Sequence, residues 1–288
     1  MVLKNRIMKK MLIILCFIAF SGFSQDFQGK AYYMSKMNVN MDWMKNLPPD
    51  RQVSVKASMK KATEKNYILN FNSSASFFKE EERLDPNAQG GGFNWQQFVT
   101  GPAQGDIYRD IQSNTYTNKK ELFGKIFLIK DSLPKSKWVM TGETKQIGIY
   151  NAYKATISKE VEEEVISFQR SRGRQGQSPT PPKPPEKKIR KVVMSAWFTP
   201  EIPVSTGPSL YGGLPGLILE LNDDKMTILC TKVVLNPKEK VKIKKPSKGK
   251  VVSSPEYEKI AADKAEEMRS RWDGRRSRGS SRAVQIRN

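Results

Sequence analysis

Apolar and polar positions alternate with period two over much of this chain, which is the spacing of a half-buried strand and not of a helix. From Lys65 to Asn72, Tyr67, Leu69 and Phe71 share one face while Ile68, Asn70 and Asn72 share the other. The same pattern makes Phe27 to Asn40 an opening strand or strand pair and lets Ser76 to Arg83 pair back against the Lys65 strand. Between Asp106 and Ile157, short strands follow one another across turn cues at Ser113-Asn114, Ser132-Leu133-Pro134 and Thr141-Gly142. Closely spaced strands with no helix between them imply antiparallel neighbours, because a parallel pair needs a long crossover. The sheet is expected to resume at Val192 to Thr199 and to continue through Leu217 to Leu221 and Met226 to Leu235.

Two segments carry helical spacing instead. Pro49 and Asp50 start a predicted helix to about Glu64, with Val55, Met59 and Ala62 in register, and Pro255 to Arg271 places Tyr257, Ile260, Ala261, Ala265 and Met268 on one stripe. The fold class that follows is mainly β (α+β): a single curved antiparallel sheet or half-barrel of roughly eight to eleven strands with one early and one C-terminal helix. By analogy of layout, this is the half-barrel of periplasmic lipoprotein carriers of the LolA type. Such a sheet has a concave face that is either a packed core or a lipid-sized groove, and the sequence leaves both open.

Glycine and proline break the pattern twice. Residues 86–105 hold Gly90-Gly91-Gly92 and Gly101-Pro102, and residues 171–191 hold five prolines, so both are expected as flexible inserts in a β domain spanning 25–254. Phe93, Trp95 and Phe98 are unusual company for a linker and are candidate partner contacts. The triple glycine lacks the Gly-Lys-Ser/Thr that a phosphate loop requires.

The most specific string is Gly213-Leu214-Pro215-Gly216-Leu217-Ile218-Leu219-Glu220. Leu214 to Leu217 has the signature of a type II turn, in which Pro215 presets φ at the second position and Gly216 supplies positive φ at the third. Trp197, Pro203, Gly207, Pro208 and Tyr211 surround it in sequence, and Glu220, the motif's one acid, is expected to find a Lys or Arg across the sheet. Together with KNYILNFNSSASFF at 65–78 and QIGIYNAYKAT at 146–156, this string resembles the GLPGLI family of secreted proteins of Bacteroidetes-type bacteria. The resemblance implies an exported protein without a settled biochemical activity, and it loosely suggests association with an outer-membrane TonB-dependent transporter. Relatives often carry a cysteine near the segment where this chain has Ala152.

The N-terminus predicts the same compartment independently. Lys4, Arg6, Lys9 and Lys10 precede an apolar run from Met11 to Phe20, and Gly22 and Ser24 stand where a signal peptidase reads, so residues 1–24 are expected to be removed before Gln25 in the periplasm or on secretion. Cys16 lies inside that run, which leaves Cys230 as the mature chain's single cysteine. No intramolecular disulfide can then form, and a packed core has to supply the stability.

Lys and Arg number 50 against 29 Asp and Glu, a net charge of +21. Much of the excess falls in Arg170 to Lys191, Lys238 to Lys250 and Arg269 to Asn288, which are expected to be poorly folded; residues 272–288 read as a basic disordered tail. Charge of this kind points to an anionic membrane surface as a partner. Nucleic acid is not expected, because no recognition module is present. The chain contains no histidine, which removes the usual base of serine and cysteine hydrolases and the commonest metal ligand. Glu80-Glu81-Glu82 and Glu162-Glu163-Glu164 are consecutive and so split between faces, and Asp223-Asp224 is too small a set for calcium. The sequence thus predicts a non-catalytic envelope protein with no cofactor or metal. The alternative is a carrier whose apolar ligand sits in a cavity lined by residues such as Leu69, Phe71, Ile149 and Leu219.

Overall fold

The computed structural model describes residues 27–37, 42–81, 105–165, 186–223 and 226–284. The expected leader, the Phe93, Trp95 and Phe98 contacts and most of the 171–191 insert lie outside the described residues.

Twelve strands form one open sheet. They are β1 (Gln28–Met37), β2 (Glu64–Asn72), β3 (Ala75–Glu80), β4 (Asp106–Asp110), β5 (Thr115–Leu122), β6 (Lys125–Ser132), β7 (Val139–Ile147), β8 (Tyr150–Val165), β9 (Glu186–Thr199), β10 (Leu217–Asn222), β11 (Met226–Leu235) and β12 (Lys250–Val252). Their order is β12-β6-β5-β4-β3-β2-β1-β11-β10-β9-β8-β7, so β1 lies between two meanders. The first runs from β2 to β6. The chain then passes to the opposite edge, and the second meander returns from β7 to β11, which pairs with β1. Every pairing is antiparallel except that of β12 with β6. Helix α1 (Pro49–Thr63) follows a short 3-10 turn at Asp42–Asn46, and α2 (Ser254–Val284) closes the described chain.

The expected open antiparallel sheet with an early and a late helix is what the chain forms. The sheet has twelve strands where roughly eight to eleven are expected, and four further details differ from the sequence reading. Thr141-Gly142 is no turn between strands but a bulge within β7, where the register shifts between Met140 and Thr144 and Gly142 takes φ 77°. Residues 186–191, assigned above to a flexible insert, belong to β9 and pair with the far end of β8, from Glu160 opposite Lys191 to Val165 opposite Glu186. The acid facing a base at Glu160 and Lys191 favours that register. The last helix runs to Val284, well beyond Arg271 and into the expected tail; Lys264–Glu267 and Glu267–Arg271 ion pairs at helical spacing support its middle turns.

The fourth difference is the lysine-rich stretch. Residues 236–249 connect β11 to β12, which lie on opposite sides of six intervening strands. At about 4.8 Å per strand, the segment has to run extended across one face of the sheet. It is pinned there. Val241 N–H donates to Gln28 Oε1 at 2.9 Å, Asn70 Nδ2 donates to the Lys242 carbonyl at 3.0 Å, and Lys245 Nζ stands 5.6 Å over the Tyr108 ring. Val241 is buried and Ile243 half-buried, while Lys240, Lys242 and Lys244 face out. This is an ordered strap with its own two-residue alternation.

The opposite, inner face holds the core. Ala31, Tyr33, Leu69, Phe71, Phe78 and Ile107 from the first half of the chain pack with Ala155, Met194, Ala196, Phe198, Leu221 and Ile228 from the second. A smaller cluster of Tyr116, Phe127, Ile129, Leu133 and Val252 receives the first turns of α2 through Tyr257 and Ile260. Leu210 touches both clusters.

Candidate functional site at the Leu214–Glu220 motif

The β9–β10 connection, residues 200–216, is a buried loop, which is unusual because its backbone polar groups must find partners away from water. Ile202, Val204, Thr206, Ser209 and Leu214 are each at most 2% exposed. The loop meets its requirement partly within itself and partly on the sheet. Val204 N–H donates to the Ile202 carbonyl and Thr206 N–H to the Val204 carbonyl, both at 2.8 Å. Ile218 N–H donates to the Thr206 carbonyl at 3.0 Å, and the Ser76 and Thr206 hydroxyls meet at 2.9 Å. Trp138 Nε1 donates to the Gly212 carbonyl at 2.9 Å, and Tyr33 hydroxyl to the Ile218 carbonyl at 2.7 Å. Burial, then the nearby Cys230, hold the Tyr33 hydroxyl well above the ordinary phenol range. The loop therefore ties β3, β4 and the residue before β7 to the β9–β10 corner, to which Tyr33 joins β1 through Ile218, and it fills the inner face between them.

The motif glycines owe their identity to this packing. Gly216 does not take the positive φ of a type II turn; the left-handed residue is Gly213, three positions earlier, at φ 83°. The turn at Pro215 is tighter, closed by Gly216 N–H donating to the Leu214 carbonyl at 2.8 Å, the three-residue pattern of a γ-turn. What requires glycine at 216 is proximity: a Cβ there would lie 2.1 Å from the Thr199 carbonyl oxygen. Gly212 is constrained in the same way by a side chain, since its Cβ would lie 2.2 Å from Nη2 of Arg109.

Arg109 is the residue that sequence reading missed. It lies on β4, in register with Ser76 and Tyr116, is 3% exposed and donates from Nη1 to the Tyr211 carbonyl. Its Nε has no partner among the described residues. Burial lowers its pKa to about 10. Burial also pushes Tyr211 up to about 12, with Asp223 adding to the shift. The available signal was parity: Arg109 shares the face of Ile107, which the alternation places inward.

On the outer face of the same strands, Glu220 accepts from Lys145 Nζ at 2.6 Å, the cross-sheet partner expected of it. Lys145 Nζ also stands 4.2 Å over the Trp197 ring, and Lys154 Nζ stands 5.7 Å from that ring while donating to both Glu143 oxygens at 2.9 Å. Trp197 thus lies against two ammonium groups in a row of alternating charge. Among the other motif residues, Leu217, Ile218 and Leu219 are fully buried, Gly207 and Pro208 are buried in the loop, and Pro203 and Pro215 face solvent.

Where the loop stops, the inner face opens into a shallow recess of about 290 Å³ lined by Met140, Tyr153, Phe198, Pro200 and Pro215, with Glu143 and Lys154 at its margin. It adjoins β7, the last strand of the sheet. Val139 is 63% exposed, Met140 52%, Ile149 80% and Tyr153 42%, so the edge carries an apolar surface beside the motif. Leu69, Phe71 and Leu219, expected above as possible cavity lining, are instead packed in the core, and Ile149 lies in the exposed β7–β8 turn.

This loop, its Trp138 and Trp197 anchors and its Glu220 lie within one recognisable sequence unit. Residues 138–220 match the model of a family described as "Protein of unknown function (Porph_ging)". Comparison with curated proteins finds no match. Among solved structures, the chain is similar to PNGF-II in a C2 crystal form, with a TM-score of 0.44 and 14% identity over 82% of this chain and 32% of that one. A P21 form of PNGF-II gives a TM-score of 0.44 and 14% identity over 81% and 33%. LprF from Mycobacterium bovis gives a TM-score of 0.25 and 10% identity over 76% and 90%. The chain spans about a third of the length of PNGF-II.

Proposed function

We propose that this is a non-catalytic binding protein of the cell envelope that docks an outer-membrane TonB-dependent transporter through the β7 edge and the recess beside Pro215. The observation that carries the reading is that β7 has no neighbour on its outer side among the described residues and that this edge exposes Met140 and Tyr153 at the recess, Val139 beside Met140 at the start of the strand, and Ile149 in the β7–β8 turn. Native sheets guard such an edge with charge or a bulge, and β7 carries both at Gly142, Glu143 and Lys145, so its Val139–Met140 end is the apolar stretch that suits strand addition by a partner. The class of partner comes from the resemblance of the Gly213–Glu220 string to the GLPGLI family, and export comes from the leader-like residues 1–24. The carrier alternative would need an apolar cavity, whereas the described inner face is packed with Leu69, Phe71, Leu219 and the 200–216 loop.

Affinity capture of the tagged protein from its own envelope, with in-cell crosslinking and identification of the partners, tests this reading. A TonB-dependent transporter should be recovered with the wild type and reduced at least tenfold with the exposed double substitution Met140→Asp/Tyr153→Asp. Recovery of no such transporter above background, or equal recovery with the variant, would overturn it.

A further inference from the structure

The strap of residues 236–249 does something a mobile basic tail could not: it fixes a line of ammonium groups on a rigid surface. Lys238, Lys240, Lys242, Lys244, Lys245 and Lys248 are all exposed, and Glu239 is the one acid among them. Val241 and Ile243 turn inward, so Lys240, Lys242 and Lys244 stand at successive outward positions of an extended chain, spaced by about 7 Å. The strap runs transverse to the strands. Its contacts fall on Gln28, Asn70 and Tyr108, carried by β1, β2 and β4 in turn, and it ends in β12 against β6. Near that end Ile126, 40% exposed, stands beside Gly249, and Val251 is 56% exposed on β12.

We propose that this outer face is a docking surface for an anionic membrane, with the strap lysines meeting lipid phosphates and the Ile126–Val251 end reaching the headgroup boundary. The chemistry favours a membrane over other polyanions. Lysine is a compact, hydrated point charge without the bidentate fork by which arginine selects a particular phosphate or carboxylate. Six such groups in a row, with no described pocket between them, suit a planar field of mobile headgroups to which each cation adds independently. A single-stranded nucleic acid would instead call for aromatic platforms interleaved with the charge, and the strap contains none. This surface is separate from the β7 edge, where the proposed transporter partner would bind, so either can fail without the other.

Sedimentation of the mature chain with large vesicles tests it, comparing pure phosphatidylcholine with phosphatidylcholine containing about one-third phosphatidylglycerol. The wild type should bind the anionic vesicles, ignore the neutral ones and lose affinity steeply as salt rises, because the Debye length falls. The strap variant Lys242→Gln/Lys244→Gln/Lys248→Gln should bind at least tenfold more weakly, and it leaves Lys245 over Tyr108. It keeps Val241 and Ile243, and its unchanged unfolding midpoint would verify the fold. The control Lys56→Gln/Lys135→Gln/Lys137→Gln removes the same charge elsewhere and should bind within twofold of the wild type. Three outcomes would overturn the proposal: no binding to anionic vesicles, equal loss in both triple variants, or a strap variant that loses heparin or DNA binding while retaining the vesicles.

Discussion

Gly216→Val is expected to destabilise the protein by about 3–4 kcal/mol, near the upper end of what single substitutions do, because its Cβ would enter backbone and not a yielding side chain. The nearest atoms to that Cβ are the Thr199 carbonyl oxygen at 2.1 Å and its carbon at 2.5 Å, both fixed by the β9–β10 pairing. Asparagine separates this cause from the turn reading. Asn tolerates the left-handed region, so if Gly216 were glycine for its φ, Gly216→Asn would be mild. Close approach predicts that Gly216→Asn and Gly216→Ala are nearly as damaging as valine. At Gly213, where φ is 83° and nothing lies within 4 Å of a Cβ, the order should invert, with Asn tolerated and Val costing about 1–2 kcal/mol. Urea titrations of the five variants decide the matter, and mild effects at 216 would contradict the packing assigned to the motif.

The second large effect is at Arg109. Arg109→Ala should lose about 3 kcal/mol, since it removes a buried side chain whose guanidinium lies against Gly212 and leaves the Tyr211 carbonyl without its donor. Arg109→Met should fall within about 1 kcal/mol of the wild type, because removing a buried charge while keeping its volume offsets the lost hydrogen bond. The pH dependence identifies the charge as the reason. Burial lowers the folded-state pKa to about 10 from an ordinary 12.5, so above pH 10 the unfolded chain holds more of this proton and the wild type gains stability relative to the methionine variant. The stability difference between Arg109→Met and the wild type should therefore stay constant from about pH 6 to pH 9 and shift in favour of the wild type above about pH 10. Working with the difference is essential. Cys230 and Tyr211, both raised to about 12 by burial, act in the opposite direction: their neutral forms favour the fold, and that stability is lost as pH rises past their unfolded values. They cancel between the two proteins. A difference that is flat to about pH 11, or a methionine variant as unstable as alanine, would show that the guanidinium charge is not what limits this site.

How far the sequence reveals this molecule depends on how local each feature is. The Tyr67, Leu69, Phe71 alternation is legible because β2 lies inside the sheet with one face in the core, and the turn at Ser113-Asn114 because Asn114 takes the φ of 54° that such residues tolerate. The position of β7 is not, because β6 and β7 lie far apart in the pairing order although a short link joins them in sequence, and no periodicity encodes how far the sheet curls to let that link close. The strap is hidden by composition: Val241 and Ile243 are only two apolar positions among lysines, and their alternation has meaning only over the face they cover. The Leu-Pro-Gly-Leu string fits a type II turn and a close approach equally well. Sequence alone therefore places its glycines in a corner and favours the φ constraint, which the structure replaces at Gly216 with proximity. Glu220 is expected to meet a cation, yet Lys145 and Lys154 cannot be chosen in advance, because the β7–β8 and β8–β9 registers set which lysines reach Glu220 and Trp197. Arg109 lies in plain alternation with Ile107, but a charged residue at an inward position is normally discounted.

The 200–216 loop is a fixed part of the core and not a cover over a groove, and the packing of the whole inner face depends on it. Amide hydrogen exchange measures this directly at Thr206, Leu217 and Ile218, whose N–H groups donate to the carbonyls of Val204, Ile202 and Thr206. These amides are predicted to exchange only through global unfolding, at the rate of Tyr33 and Leu69 in the central strands, with no change on adding a fatty acid. Exchange several orders of magnitude faster than in β1 and β2, slowed by an added apolar ligand, would contradict it.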